Sequence, residues 1–210
     1  MITLYSYHNS RSLRVAWTLE ELGLDYRCQF VDLASGEGQS SEYLAHHPDG
    51  KVPALKDDDL TLFESAAICR YLAERYGQGA LMPDDPIKRA KLDQWLFFIV
   101  SELEQPLWTL GKHKFALPQE RRVPAVIPTA AWEFQRALAA LQREFDGQGW
   151  LVDDEFTIAD IMLGHTLSWA RGAKQPLPDA LEAYFKRCYA RPARDAAQQR
   201  EQSAHDEAKA

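Results

Sequence analysis

Cysteine is scarce in this chain. Only Cys28, Cys69 and Cys188 occur among 210 residues. They are odd in number and widely spaced, with no CxxC pair and no zinc-ligand spacing. A disulfide scaffold is therefore excluded, and reduced, buried thiols are expected. Long apolar runs are lacking as well. The longest stretches from Trp95 to Val100, far short of the ~20 residues that a bilayer helix needs. The opening MITLYSYHNS has neither a basic n-region nor a long apolar h-region, so a cytoplasmic location is expected rather than secretion. Cations are in deficit: 24 Lys and Arg against 31 Asp and Glu give a net charge of −7. Neutralising phosphates needs the opposite balance, which argues against a nucleic-acid partner.

What remains is globular composition, 46% hydrophobic and 26% charged, long enough for a sizeable core. Residues 1–78 read as α/β. Ile2 to Tyr7 is a β-rich run, and Arg11 to Leu22 is a helix that stops at Gly23. Asp25 to Leu33 alternates apolar and polar residues as a strand does. A Gly/Ser-rich loop over 34–41 and a short helix near Glu42 to His46 follow. Lys51 to Lys56 and Leu60 to Phe63 flank the turn Asp57-Asp58-Asp59 and read as a hairpin. Ser65 then opens a helix that Gly77 stops. A β-α-β start with a terminal hairpin and helix predicts a mixed four-stranded sheet with helices on both faces.

After a Pro/Asp-rich linker over 79–86, the pattern turns helical over 87–190. Ile87 to Leu110 reads as one long helix whose wide apolar face hints at a subunit contact. Ala125 to Phe145, Ile158 to Ala170 and Pro178 to Tyr189 read as three more. Residues 191–210 are charged and poor in apolar side chains, and are expected to be a flexible tail.

Three local signals carry chemistry. In Gly50-Lys51-Val52-Pro53-Ala54-Leu55, a proline opens a strand and donates nothing to the ladder. If the Val52–Pro53 bond is cis, the Val52 N–H and C=O face outward and can pair with an extended peptide. In Glu64-Ser65, Ser65 is an N-cap candidate. A helix N-terminus receives a carboxylate, and Glu64 beside it can pair with an ammonium. In Ser10-Arg11-Ser12, a hydroxyl near a helix start can stabilise a bound thiolate. Lowering a thiol from about 8.5 by two units takes about 2.7 kcal/mol, within reach of a hydroxyl and a helix terminus. The implied ligand has an amino-acid end, a peptide-like middle and a thiol.

The chain resembles a cytosolic glutathione S-transferase over residues 1 to about 190, and glutathione has all three features. The resemblance rests on Ser10-Arg11-Ser12-Leu13-Arg14, Leu19 to Tyr26, Pro48 to Leu55, Phe63 to Ile68, Tyr71-Leu72 and Phe156 to Ile161. The SRSxR turn is most similar to the bacterial and fungal branch that includes the yeast Gtt-type transferases. The resemblance implies a thioredoxin-like N-terminal domain, an all-helical C-terminal domain and a homodimer. It implies that Pro53 is cis, that Val52 pairs with the cysteinyl backbone, that Glu64 and Ser65 hold the γ-glutamyl end and that Lys51 faces the glycyl carboxylate. For thiol activation Ser10 is the first candidate and Tyr7 the second, with Ser12 and Asn9 reached by a one- or two-residue shift. No cysteine precedes Cys28, which disfavours a thiol-exchanging mechanism.

The implied activity is detoxifying transfer of glutathione to a small hydrophobic electrophile, with glutathione as co-substrate and no metal. The alternatives are reduction of organic hydroperoxides and a non-catalytic glutathione-binding role. Isomerisation of a keto-acid, as in zeta members, is disfavoured because their Ser-Ser-Cys run is absent. Phe115 and Trp108 are the candidates for the electrophile wall, while Trp95, Trp132 and Trp169 read as core. His46-His47 have no third ligand near them and read as a surface pair rather than a metal site. Thr157 and Asp160 read as a capping box, with Phe156 stapled to Ile161.

Overall fold

The computed structural model describes residues 1–153 and 155–210. By internal packing these form two units, one of residues 1–83 with 189–210, the other of residues 84–188.

The first unit is built on four short strands. β1 (Ile2–Ser6), β2 (Tyr26–Phe30), β3 (Ala54–Asp57) and β4 (Leu60–Phe63) line up in the order β2-β1-β3-β4. β1 runs parallel to β2 and antiparallel to β3, and β3 and β4 form the predicted hairpin. The parallel pair needs a crossover, which α1 (Ser12–Glu21) supplies. Alternation along β1 sends side chains to both faces. Leu4 is fully buried with Val15, Trp17, Leu19, Leu55, Ile68 and Leu72, residues of the sheet, α1 and α3 (Ser65–Tyr76). Tyr5 joins Val31, Val52, Ala54 and Tyr43, the last of these from α2 (Ser41–Leu44).

The second unit is helical: α4 (Pro86–Phe98), α5 (Glu104–Gly111), α6 (Ile127–Glu144), α7 (Ile158–Gly172) and α8 (Asp179–Tyr189), whose last residue belongs to the first unit. The long helix predicted over 87–110 is interrupted by a π-helical turn, Ile99–Leu103. Pro106 supplies the reason. It has no N–H to give to the carbonyl four residues back, and its ring crowds that group, so the preceding turn widens. The capping box at α7 is formed: the Thr157 hydroxyl accepts from the Ala159 N–H at 3.2 Å, and Asp160 accepts from the Thr157 N–H at 2.8 Å. Phe156 meets Trp150 edge to face at 4.9 Å between centroids.

Two expectations are corrected. Trp132 is not core: it is 60% exposed, with the Arg136 guanidinium over its ring. Residues 191–210 are not a flexible tail but contain an eighteen-residue helix, α9 (Pro192–Lys209), packed on α1 and β2. Its attachment is polar. Arg191 makes a two-pronged bond to Glu21 at 2.5 and 2.6 Å, Arg200 pairs with Glu20 at 3.4 Å, and Lys209 reaches Asp32 at 3.4 Å. Only Ala197 and Glu201 of α9 are buried, so no apolar stripe marks it in the sequence.

Candidate functional site

The junction before β3 carries a cis Val52–Pro53 peptide bond. Val52 is buried at its side chain, while its N–H and C=O make no main-chain hydrogen bond among the described residues. The segment leading to it is held firmly. The Tyr43 hydroxyl donates to the Lys51 carbonyl at 2.6 Å, and the Gly50 N–H donates to the His47 carbonyl at 2.9 Å. Gly50 sits at φ +62°, and a Cβ there would lie 2.3 Å from the Gly38 carbonyl oxygen. No other residue type fits that turn without displacing backbone. Lys51 is exposed and paired with Asp49.

The start of α3 lies after β4. Glu64 occupies the N-cap position with φ 72° and ψ 110°, and its side chain makes no cap bond. It is exposed. Ser65, expected as the N-cap, is instead the first residue of the helix. Its hydroxyl is buried and accepts from Arg14 Nη1 at 3.3 Å. The left-handed backbone at Glu64 explains the shift by one residue: an N-cap ordinarily has extended backbone, and this one turns the chain while leaving its carboxylate in solvent. An acceptor and a set of helix N–H donors therefore stand side by side.

The loop from β1 to α1 gathers the three hydroxyl candidates. The Ser10 and Ser12 oxygens are 2.8 Å apart, and the Ser12 N–H donates to the Ser10 oxygen at 3.1 Å. Ser10 is half-buried. Ser12 is fully buried and stitched to Tyr7 in both directions, accepting from its N–H at 3.2 Å and lying 3.0 Å from its carbonyl oxygen. It therefore has no access to a ligand. The Tyr7 ring packs against the Tyr5, Val31, Tyr43 and Val52 cluster and stacks on His8 at 4.6 Å and Phe30 at 5.4 Å. Asn9 is exposed at φ 54°.

Sequence reasoning missed Glu201. From α9 it reaches Ser12, with 2.5 Å between the carboxyl and hydroxyl oxygens, and it is 3% exposed. Burial pushes its carboxyl up to about 8, against the Ser12 hydrogen bond that favours the ionised form. The pair is separated by 189 positions, and a Glu in a polar segment gives no signal.

None of the three cysteines is in a disulfide. Cys28, beside Ser6 at 3.1 Å, is pushed up to about 11 by burial, so it is a thiol and not a thiolate at neutral pH. His47 is buried rather than at the surface, and burial lowers its pKa. His46 lies 3.0 Å from the Tyr5 hydroxyl. Among the described residues, no group of three or more His, Cys, Asp or Glu side chains is placed to hold a metal. No helix among them is long and apolar enough to cross a membrane. The helical unit carries a cavity of about 460 Å³ lined by Leu107, Leu110, Phe115 and Trp169, with Lys114 and Lys174 at its polar side. Phe115 is thus on a cavity wall, and the Trp108 ring lies 6.3 Å from that of Trp169.

A β-α-β sheet closed by a hairpin, with a cis-proline before β3 and a helix N-terminus after β4, defines a thioredoxin-like domain, here joined to a helical one. Residues 1–74 match the glutathione S-transferase N-terminal domain, and residues 124–187 match the glutathione S-transferase C-terminal domain. Glutathione S-transferase GstB of Escherichia coli strain K12 is 36% identical over 166 residues, covering 78% of this chain and 80% of that protein. Disulfide-bond oxidoreductase YfcG of the same strain is 34% identical over 168 residues, covering 77% and 76%. The crystal structure of the glutathione transferase URE2P8 from Phanerochaete chrysosporium with oxidized glutathione superposes with a TM-score of 0.85 at 25% identity, over 98% of this chain and 96% of its own. The chain belongs to the glutathione S-transferase family.

Proposed function

We propose that the chain is a glutathione transferase in which residues 1–78 bind the tripeptide and Ser10 stabilises its thiolate for attack on a small hydrophobic electrophile. The observation that carries this reading is the pair of main-chain groups at Val52 that make no main-chain hydrogen bond among the described residues, beside the cis bond, in the same domain as Glu64 and Ser65. Val52 pairs with the cysteinyl backbone as an added strand would. The Glu64 carboxylate takes the α-ammonium. The Ser65 N–H and hydroxyl take the α-carboxylate, and Lys51 lies toward the glycyl end. Ser10 donates to the sulfur; Tyr7, engaged in ring stacking, is the second choice, and Ser12 serves as support rather than donor. Catalysis is then positioning plus thiolate stabilisation.

The apolar cavity of the helical unit supports a hydrophobic second substrate. Exposed Ile87 and Phe97 on α4 support a homodimer. Three cysteines without a disulfide fit a reducing cytoplasm. A second reading is reductive: two glutathiones become their disulfide while a hydroperoxide becomes an alcohol and water. The likeness to a protein named a disulfide-bond oxidoreductase favours testing it.

Assays with a chlorinated nitroarene, cumene hydroperoxide and a mixed disulfide separate the readings. Conjugation of the nitroarene is the expected dominant activity. Ser10→Ala is expected to lower kcat/KM by about 10–100-fold, the worth of one hydrogen bond to a charged group, with glutathione affinity nearly unchanged. Full activity in Ser10→Ala removes Ser10 from the mechanism. Binding without turnover of any of the three favours a non-catalytic role.

A further inference from the structure

We propose that Glu201, on the C-terminal helix, is a positioning residue for thiol activation: through Ser12 it decides whether the Ser10 hydroxyl proton is held on Ser12 or released from it. The inference rests on the reading of Ser10 given above and adds a residue, an element and a pH response to it.

A serine hydroxyl has one proton to give and two lone pairs to receive with. Around the Ser12 oxygen stand four partners: the Tyr7 N–H at 3.2 Å, the Tyr7 carbonyl at 3.0 Å, the Ser10 oxygen at 2.8 Å and the Glu201 carboxyl at 2.5 Å. The Tyr7 N–H always donates, so it always occupies one lone pair. When Glu201 carries its proton, it donates to Ser12 and fills the second. Ser12 then has no lone pair left for Ser10, and the Ser10 proton is directed away from Ser12. When Glu201 is ionised, Ser12 gives its own proton to the carboxylate. One lone pair reopens, and Ser10 can turn its proton inward to fill it. The protonation of a buried carboxyl on α9 thus sets the direction of a two-hydroxyl relay ending at the candidate catalytic group.

The surroundings favour the first state near neutrality. Glu201 is 3% exposed, and no cation is within ion-pair distance of it among the described residues. The Cys28 thiol on β2 feels the Glu201 charge, together with those of Arg200 on α9 and Glu20 on α1. Arg200 is committed to Glu20 at 3.4 Å and to the face of the Tyr26 ring at 5.0 Å, while His205 packs on His8 and Phe30. Burial without a compensating charge holds the carboxyl neutral up to about 8. The relay therefore keeps the Ser10 proton off Ser12 at neutral pH and lets Ser12 take it in mildly alkaline solution.

The test is the titration of the enzyme-bound glutathione thiol, followed by thiolate ultraviolet absorbance, with binding followed separately by calorimetry. Glu201→Ala is expected to raise the bound thiol pKa by about one unit and lower kcat/KM at pH 7 about tenfold, with glutathione affinity within about threefold. Glu201→Gln, whose amide keeps an N–H donor for Ser12 at every pH, is expected to restore the low thiol pKa. It should also remove the fall in kcat/KM that the wild type shows as pH rises through about 8. In a Ser12→Ala background the effect of Glu201→Gln should vanish, because the relay is cut. Thermal melts certify that each variant is folded. An unchanged thiol titration in Glu201→Ala, an alkaline fall that persists in Glu201→Gln, or an equal Gln effect with and without Ser12 overturns the proposal. Those outcomes leave the parent reading standing if glutathione still binds. Failure of the wild type to bind glutathione sinks both.

Discussion

Gly50 shows how tightly one residue constrains the shelf before Pro53. Its φ of +62° and the 2.3 Å approach of a Cβ to the Gly38 carbonyl leave no room for a side chain. Gly50→Ala is expected to destabilise the domain by at least ~2 kcal/mol. The measurement is the urea midpoint at constant m-value; an unchanged midpoint means the loop yields without cost. Individual residues were legible in the sequence where a local pattern specified them. Gly50 and Pro53, and likewise Glu64 and Ser65, are close neighbours in sequence, so spacing alone brings each set together. Ser65 was displaced by one position because the left-handed backbone at Glu64 is not written in a serine preceding a helix. Among the hydroxyls, spacing could not separate Ser10 from Ser12. Burial does: Ser12 is enclosed by Tyr7 and Glu201, and Ser10 is half-open.

Elements were legible in proportion to how much apolar surface they bury. β1 to β4, α1 and α3 follow the expected order, and their cores carry the alternation and helical stripes that predict them. α9 was not legible because arginine–carboxylate contacts and ring faces hold it in place of an apolar stripe. Its stability should depend on pH. Glu201 has its pKa raised in the folded state from an ordinary value near 4.5 to about 8. The folded protein therefore holds a proton that the unfolded chain has released, and stability falls as pH rises across that window. Melting temperature is expected to drop from pH 5 to pH 8 and to drop less in Glu201→Gln.

The start of α7 is a second test at this scale. Asp160 is fully buried and accepts from the Leu151 N–H at 2.9 Å, the Thr157 N–H at 2.8 Å and the Tyr184 hydroxyl at 2.6 Å. Asp160→Ala strands all three donors and is expected to cost about 3–5 kcal/mol. A loss below ~1 kcal/mol in chemical denaturation shows that the capping box is dispensable.

For the whole molecule, the division between an α/β part and a helical part was readable from the change in periodicity near residue 78. The return of residues 189–210 to the first unit was not, since nothing in a polar helix says which surface it joins. Family membership follows from both halves of the chain. The chemistry depends on a smaller claim, that the first unit takes glutathione at the Val52 edge and at the start of α3. Calorimetric titration of glutathione into the wild type, Glu64→Gln and Ser65→Ala tests that claim most directly. The account predicts saturable one-site binding in the wild type, weakened roughly tenfold or more in each variant, with the melting temperature unchanged in Glu64→Gln and lowered in Ser65→Ala, which takes a buried acceptor from Arg14. Equal affinity in all three proteins, or no heat of binding in the wild type, contradicts it.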